Sequence, residues 1–263
     1  MEAQDYAMDQ RPDSSPVRGT RREAWLTLRG ATVGALIVTV ALGVLSDLLF
    51  VAALQFRFDW FSDPALLVAG GPASADLLHW AALADLFSYY LPTTVVALAL
   101  WAALRSRRPM LALGALLGAL GYVLAGSIGA ASLAMVGPTL IREYAQPGAD
   151  HAEIATAFGL LTEVVFRAVW QLVDGIFIAV WMIGIGLLMR TDQPAFARLA
   201  RGLGVLFLIA TMFNVLGFGT ARDATLGVVF VTWIVWDVWL AVLVWGRRSP
   251  FGDLTRSAPQ RSS

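Results

Sequence analysis

Residues 31–53, ATVGALIVTVALGVLSDLLFVAA, carry a single charged side chain, Asp47. As a helix rising about 1.5 Å per residue, such a run crosses the ~30 Å hydrocarbon core of a bilayer. Apolar runs of the same kind recur at about 84–104, 110–135, 169–189, 203–219 and 226–246. The fold class that follows is all-α: a polytopic membrane protein built as a six-transmembrane-helix bundle.

Composition agrees with that reading. Of 263 residues, 58% are hydrophobic and 14% charged, with a mean hydropathy of +0.68. Soluble domains run about 45–50% apolar and about 25% charged, so a soluble globular domain and a disordered chain are both excluded. The formal charge of +0 speaks against a general nucleic-acid binder. The absence of Cys removes disulfides, thiolate metal sites, iron–sulfur clusters and a cysteine nucleophile.

Orientation follows from the arginines. All 19 basic residues are Arg, and their distribution is one-sided. The N-terminal segment holds Arg11, Arg18, Arg21, Arg22 and Arg29. Arg105, Arg107 and Arg108 lie between spans two and three, and Arg190, Arg198 and Arg201 between four and five. The C-terminal segment holds Arg247, Arg248, Arg256 and Arg261. The opposite connections hold only Arg57, Arg142 and Arg222. By the positive-inside rule both termini are cytoplasmic, in a multi-pass protein of the cytoplasmic membrane. Residues 1–22 and 249–263 read as disordered cytoplasmic tails, and 23–248 as the membrane domain. Residues 1–22 are too polar for a signal peptide, and the first span reads as an uncleaved signal-anchor.

The connections differ. Residues 54–83 carry Phe56, Phe58, Trp60, Phe61, Leu77, Leu78 and Trp80, which predicts a loop lying on the membrane interface. The amphipathic stretch 152–168 predicts an extension of helix four above the membrane. About six residues between spans five and six make those helices antiparallel neighbours. In span three, Gly114, Gly118, Gly121 and Ala125 share a helical face, which predicts close packing at the centre of the bundle. Pro92 should kink span two, and the carbonyl it frees needs a donor from a neighbour.

The polar groups within the spans are the candidate site: Asp47, Asp85, Tyr89, Glu163, Arg167, Gln171, Asp174, Asn214 and Asp237. Counting from the arginine-rich end at about 1.5 Å per residue, Asp237 lies about 15 Å deep, Asn214 about 20, Asp174 about 24 and Asp47 about 27. Glu163, Arg167, Gln171 and Asp174 fall at i, i+4, i+8 and i+11, one face of an α-helix. One Arg cannot neutralise five carboxylates, so some acids must be protonated, reach water or bind a cation. Two contacts are expected: Arg167 with Asp85 or Asp47 on another helix, and Asp237 with Asn214 or another interior polar group.

Catalytic signatures are poor. Residues 162–167, TEVVFR, are similar to the Glu-Glu-x-x-Phe-Arg signature of intramembrane CAAX-type proteases, but the first Glu is Thr162 and no His follows His151. His79 and His151 both fall in connections, which leaves haem ligation without intramembrane ligands. No Gly-x-Ser-x-Gly elbow, Walker sequence or dinucleotide fingerprint occurs. Neither catalytic residues, a cofactor nor a metal site is implied.

One resemblance adds to this. Asp63-Pro64-Ala65-Leu66-Leu67, then 84–91, ADLFSYYL, and later Trp170, 181–188, WMIGIGLL, and Pro194 resemble bacterial six-span proteins of the domain-of-unknown-function 4386 type. The resemblance covers roughly residues 25–248. It implies the six-span topology and no assigned activity. The expectation is therefore an integral membrane protein without catalysis, structural, regulatory or sensing in role. The alternative is a small transporter or proton- or cation-handling protein working through the polar cluster. The lipid bilayer is the one partner implied, and a proton, cation or small ligand is the one other class the cluster would take.

Overall fold

Three of the long helices start on a proline whose missing N–H costs nothing in the first turn: Pro64, Pro109 and Pro194. A fourth starts at Asp150, whose side chain accepts from the backbone N–H of Ala152 and Glu153 at 3.2 and 3.1 Å. The computed structural model describes residues 17–57, 60 and 63–252, with side chains from residue 26 onward. It is all-helical, 87% helix, with no strand among the described residues.

Six helices are long and apolar enough to cross a membrane. They are α1 (Val17–Ala53), α2 (Pro64–Leu104), α3 (Pro109–Tyr144), α4 (His151–Leu188), α5 (Pro194–Val215) and α6 (Gly219–Trp245). Each packs against its neighbours in sequence, and α1 also packs against α6, so the helices form a closed ring. The interior of the ring is filled by aromatic side chains. Tyr122 meets Tyr90 at 5.0 Å and Trp233 at 5.9 Å between ring centroids. Trp233 leads on to Trp236, which packs against Trp181 at 5.5 Å and Phe196 at 5.8 Å. Such tilted and edge-on pairs are favoured over face-to-face stacking.

A second apolar core lies toward the opposite end from the arginines. It is built from the end of α1, the first half of α2, the end of α3 and the start of α4, with Leu67, Leu78, Leu133, Ile141 and Phe158 fully buried. It exists because α2, α3 and α4 have 41, 36 and 38 residues against 22 and 27 in α5 and α6. At 1.5 Å per residue the first three overshoot a ~30 Å hydrocarbon layer by some 20 Å or more.

This changes several expectations. Residues 54–83 are not mainly a surface loop: 64–70 form a 3-10 turn that runs straight into helix, and Trp60 and Leu78 are buried. Trp80 does remain exposed, while Phe58 and Phe61 lie outside the described residues. The loop between α5 and α6 is shorter than expected, 216–218. Helix α3 sits between α2 and α4 rather than at the centre. Of its small-residue face, Gly118 and Gly121 do lie against α4, where a Cβ on Gly118 would come within 2.9 Å of the Phe177 carbonyl, but Gly114 faces open space. Helix α1 begins at Val17, inside the stretch read as a disordered tail, and Phe251 is buried under the arginine-rich end. Residues 1–16 and 253–263, the rest of both tails, lie outside the described residues.

Prolines inside helices are tolerated because neighbours supply donors. Pro92 leaves the Ser88 carbonyl without its α-helical partner, and Thr39 Oγ1 from α1 donates to it at 3.0 Å. Pro138 does the same to Ala134, whose carbonyl oxygen lies 2.8 Å from His79 Nδ1. A carbonyl only accepts, so His79 carries its proton on Nδ1.

Candidate functional site: an acid–tyrosine cluster

Two helices unwind into π-turns: α2 over Leu86–Tyr90 and α4 over Glu163–Asp174. Their backbone bonds reach one residue further than in an α-helix, as from Leu91 N–H to Leu86 C=O. A π-helix turns by less per residue, so side chains spaced for one α-helical face no longer share it. That splits the predicted stripe on α4. Glu163 and Arg167 remain side by side at 3.1 Å, half exposed at 59% and 46%. Asp174 is carried round into the interior and is 4% exposed.

Arg167 is therefore not the interhelical clasp expected. Its guanidinium pairs with Glu163 on its own helix, and neither Asp85 nor Asp47 reaches it. Its backbone carbonyl is what ties helices together, accepting from Asn214 Nδ2 of α5 at 2.9 Å. One turn on, Thr211 Oγ1 donates to the Gln171 carbonyl at 2.9 Å. Asn214 is thereby committed to α4, and the expected Asp237–Asn214 hydrogen bond is absent. The reason is the π-turn, which swings its carbonyls toward α5 and takes the amide that Asp237 was expected to use.

The acids that do converge come from four helices. Asp85 of α2, Asp174 of α4 and Asp237 of α6 all lie close enough to Tyr122 of α3 to act on it electrostatically. Tyr90 donates to Asp174 Oδ2 at 3.4 Å, and Tyr89 to Asp47 Oδ2 of α1, also at 3.4 Å. Asp47 is the exposed member of the group; Asp174 and Asp237 are buried, the latter at 3% exposure. One oxygen each of Asp85, Asp174 and Asp237 is buried with no hydrogen-bond partner, as are Gln171 Oε1 and Asn214 Oδ1. Most buried polar atoms are satisfied, so five such oxygens in one region need an explanation.

Among the described residues no arginine forms an ion pair with these acids. The ion pairs lie elsewhere, as in Arg107–Asp192, Arg142–Asp76 and Arg222–Asp223. Among the described residues no three His, Asp or Glu side chains are grouped so as to hold a metal ion. His79 is occupied on Ala134, and His151 packs on Tyr144 at 4.5 Å.

Tyr122 is the residue that sequence reasoning missed. It is buried in the middle of a helix dominated by Gly, Ala and Leu, and a phenol in such a run was the available signal. Tyr90 is held by a second missed feature, Gly126. A Cβ there would overlap the Tyr90 ring, so only glycine leaves room for the ring between α2 and α3. No family model, curated protein or solved structure matches the chain.

Proposed function

We propose that the chain is a non-catalytic multi-pass protein of the cytoplasmic membrane that senses protons through the acid–tyrosine cluster. The observation that carries this is the placing of Asp85, Asp174 and Asp237 within electrostatic range of Tyr122, each with an unpartnered buried oxygen and none in an ion pair among the described residues. Buried carboxyls without a cation are held as neutral acids, and a proton is the ligand that makes them so. Exposed Asp47, hydrogen-bonded to Tyr89, is the member through which protons enter. Arginines at one end of the bundle support cytoplasmic termini, which puts Asp47 toward the outer face. Likeness to bacterial six-span proteins of the domain-of-unknown-function 4386 type fits this topology.

Sensing is favoured over conduction because Trp233, Trp236, Trp181 and Phe196 fill the ring on the arginine side of the cluster. The second reading, proton transport, rests on Asp237, which lies deeper than the other acids.

The test uses the purified chain in lipid vesicles. Trp233 touches both Tyr89 and Tyr122, so its emission should change reversibly when the outer medium is acidified. Asp85→Asn and Asp174→Asn should flatten that change, and a pH dye inside the vesicles should stay silent. A dye signal that disappears in Asp237→Asn would establish transport instead. An emission indifferent to pH would make the cluster structural.

A further inference from the structure

Between α1 and α6 runs an open groove of about 580 Å³, within the range of ligand sites. Its walls are Val33, Ile37, Val40 and Ala41 on one side and Val238 and Val242 on the other. One end stops at Asp237. The other opens at Trp245 and Arg248, where the Arg29 guanidinium lies over the Trp245 ring at 5.2 Å. We infer that this groove is a binding site for one acyl chain of an anionic phospholipid whose phosphate rests on Arg29 and Arg248. The inference rests on the membrane-spanning topology proposed above.

Length, shape and charge each point to that occupant. From Asp237 to Trp245, the last residue of α6, is eight residues or about 12 Å along the helix, and the chain then turns to place Arg248 at the mouth. One leaflet of a ~30 Å hydrocarbon core is about 15 Å, so a lipid chain fills the groove from mouth to end. A helix of a second copy is about 10–12 Å across and needs some 30 Å of contact, for which the groove is too short. The walls are aliphatic throughout, which excludes a charged segment. At the mouth, neither Arg29 nor Arg248 has a carboxylate partner among the described residues. Trp245, 65% exposed, has the amphipathic ring that marks headgroup depth. Paired arginines beside such a ring at the cytoplasmic end select a phosphate that carries net negative charge over a zwitterionic headgroup.

The groove ends on Asp237, so the lipid has a consequence. A chain seated there covers the buried carboxyl from the side and keeps water from it. Lipid occupancy then controls the deepest member of the cluster.

The experiment is native mass spectrometry of the delipidated full chain, titrated with phosphatidylglycerol or phosphatidylcholine of the same acyl composition. One phosphatidylglycerol per chain should be retained at concentrations where phosphatidylcholine is lost. Arg29→Gln and Arg248→Gln should each weaken retention about fivefold. Ala41→Trp should abolish it; Ala41 is exposed, so the substitution fills the groove without disturbing the core, and an unchanged melting temperature checks this. Brominated phosphatidylglycerol should quench Trp245, read as the difference from Trp245→Phe. Equal retention of the two lipids, retention that survives Ala41→Trp, or a second copy of the chain displacing the lipid would each overturn the inference. If the retention tests fail while the pH response of Trp233 persists, the lipid site falls and the sensing reading stands.

Discussion

The link between His79 and Pro138 can be tested quantitatively. Pro138 lacks the N–H that would bond Ala134, and the ring of His79 supplies it at 2.8 Å. Ala134 is 1% exposed, so removing the donor strands its carbonyl. An unsatisfied buried acceptor costs about 1–3 kcal/mol. His79 itself is half-buried, so water can partly replace it, and His79→Leu should cost about 1–2 kcal/mol. The same substitution also loses the edge contact of His79 with Trp80 at 5.2 Å, which must be separated from the carbonyl effect. Pro138→Ala does so: it restores an amide four residues beyond Ala134. In that background His79→Leu should cost under about 0.5 kcal/mol, because the ring contact alone is lost. Reversible unfolding of the four proteins in mixed micelles gives the coupling energy, expected at about 1 kcal/mol. If His79→Leu costs the same with and without Pro138, the histidine is not serving the carbonyl and the reasoning fails.

The Pro92 site should behave alike: Thr39→Val is expected to cost about 0.6–1.7 kcal/mol in micelle unfolding, and most of that should vanish in Pro92→Ala. Arg167→Ala should cost under about 0.5 kcal/mol by the same assay, since it removes a solvent-facing i,i+4 pair and leaves the Asn214 bond to its backbone intact; a loss above about 2 kcal/mol would restore the interhelical role. Gly126→Ala should destabilise by about 1–3 kcal/mol through the Tyr90 ring, and should shift the ultraviolet absorbance of that tyrosine as its contact with Asp174 is broken.

The number of spans was legible because apolar length is a one-dimensional property, and each predicted run falls on one of the six observed helices, three of them overrunning its end by one to four residues. The ends were not, because the overshoot of α2, α3 and α4 is stabilised by a second core whose apolar residues are spread over 53–82 and 133–165 among polar ones and form no single apolar run. Pro138 pointed the other way, since proline usually ends a helix, and the His79 ring that makes it tolerable inside α3 comes from another helix. At the site, burial of Asp174 and Asp237 followed from the cost of exposing an acid to lipid. Partners did not follow. The stripe on α4 was laid out at α-helical spacing, and no residue between 163 and 174 announces a π-turn. Once the turn is present, Asp174 and Arg167 part company and Asn214 is drawn to a backbone carbonyl.

The π-turns also sort the polar groups by what they do. Thr39, Thr211 and Asn214 each donate to a carbonyl inside one of the two π-segments. They are the cost of bending the helices, and hydrophobic substitutes would leave those carbonyls short of a donor. Glu163 and Arg167 satisfy each other at the surface. Take these away and the residues without a structural task are Asp85, Asp174, Asp237 and the phenols between them. An amide would fill the same volume and avoid any charge, and a leucine would be better still if packing were the only need. Three acids held by three helices within electrostatic range of one tyrosine, each with an oxygen left open, are a poor way to stabilise a bundle, which is why we propose for them a role in proton sensing. On the proposed sensing role the bends have a use as well: they carry Asp174 into the interior, away from Arg167, whose guanidinium pairs with Glu163 instead.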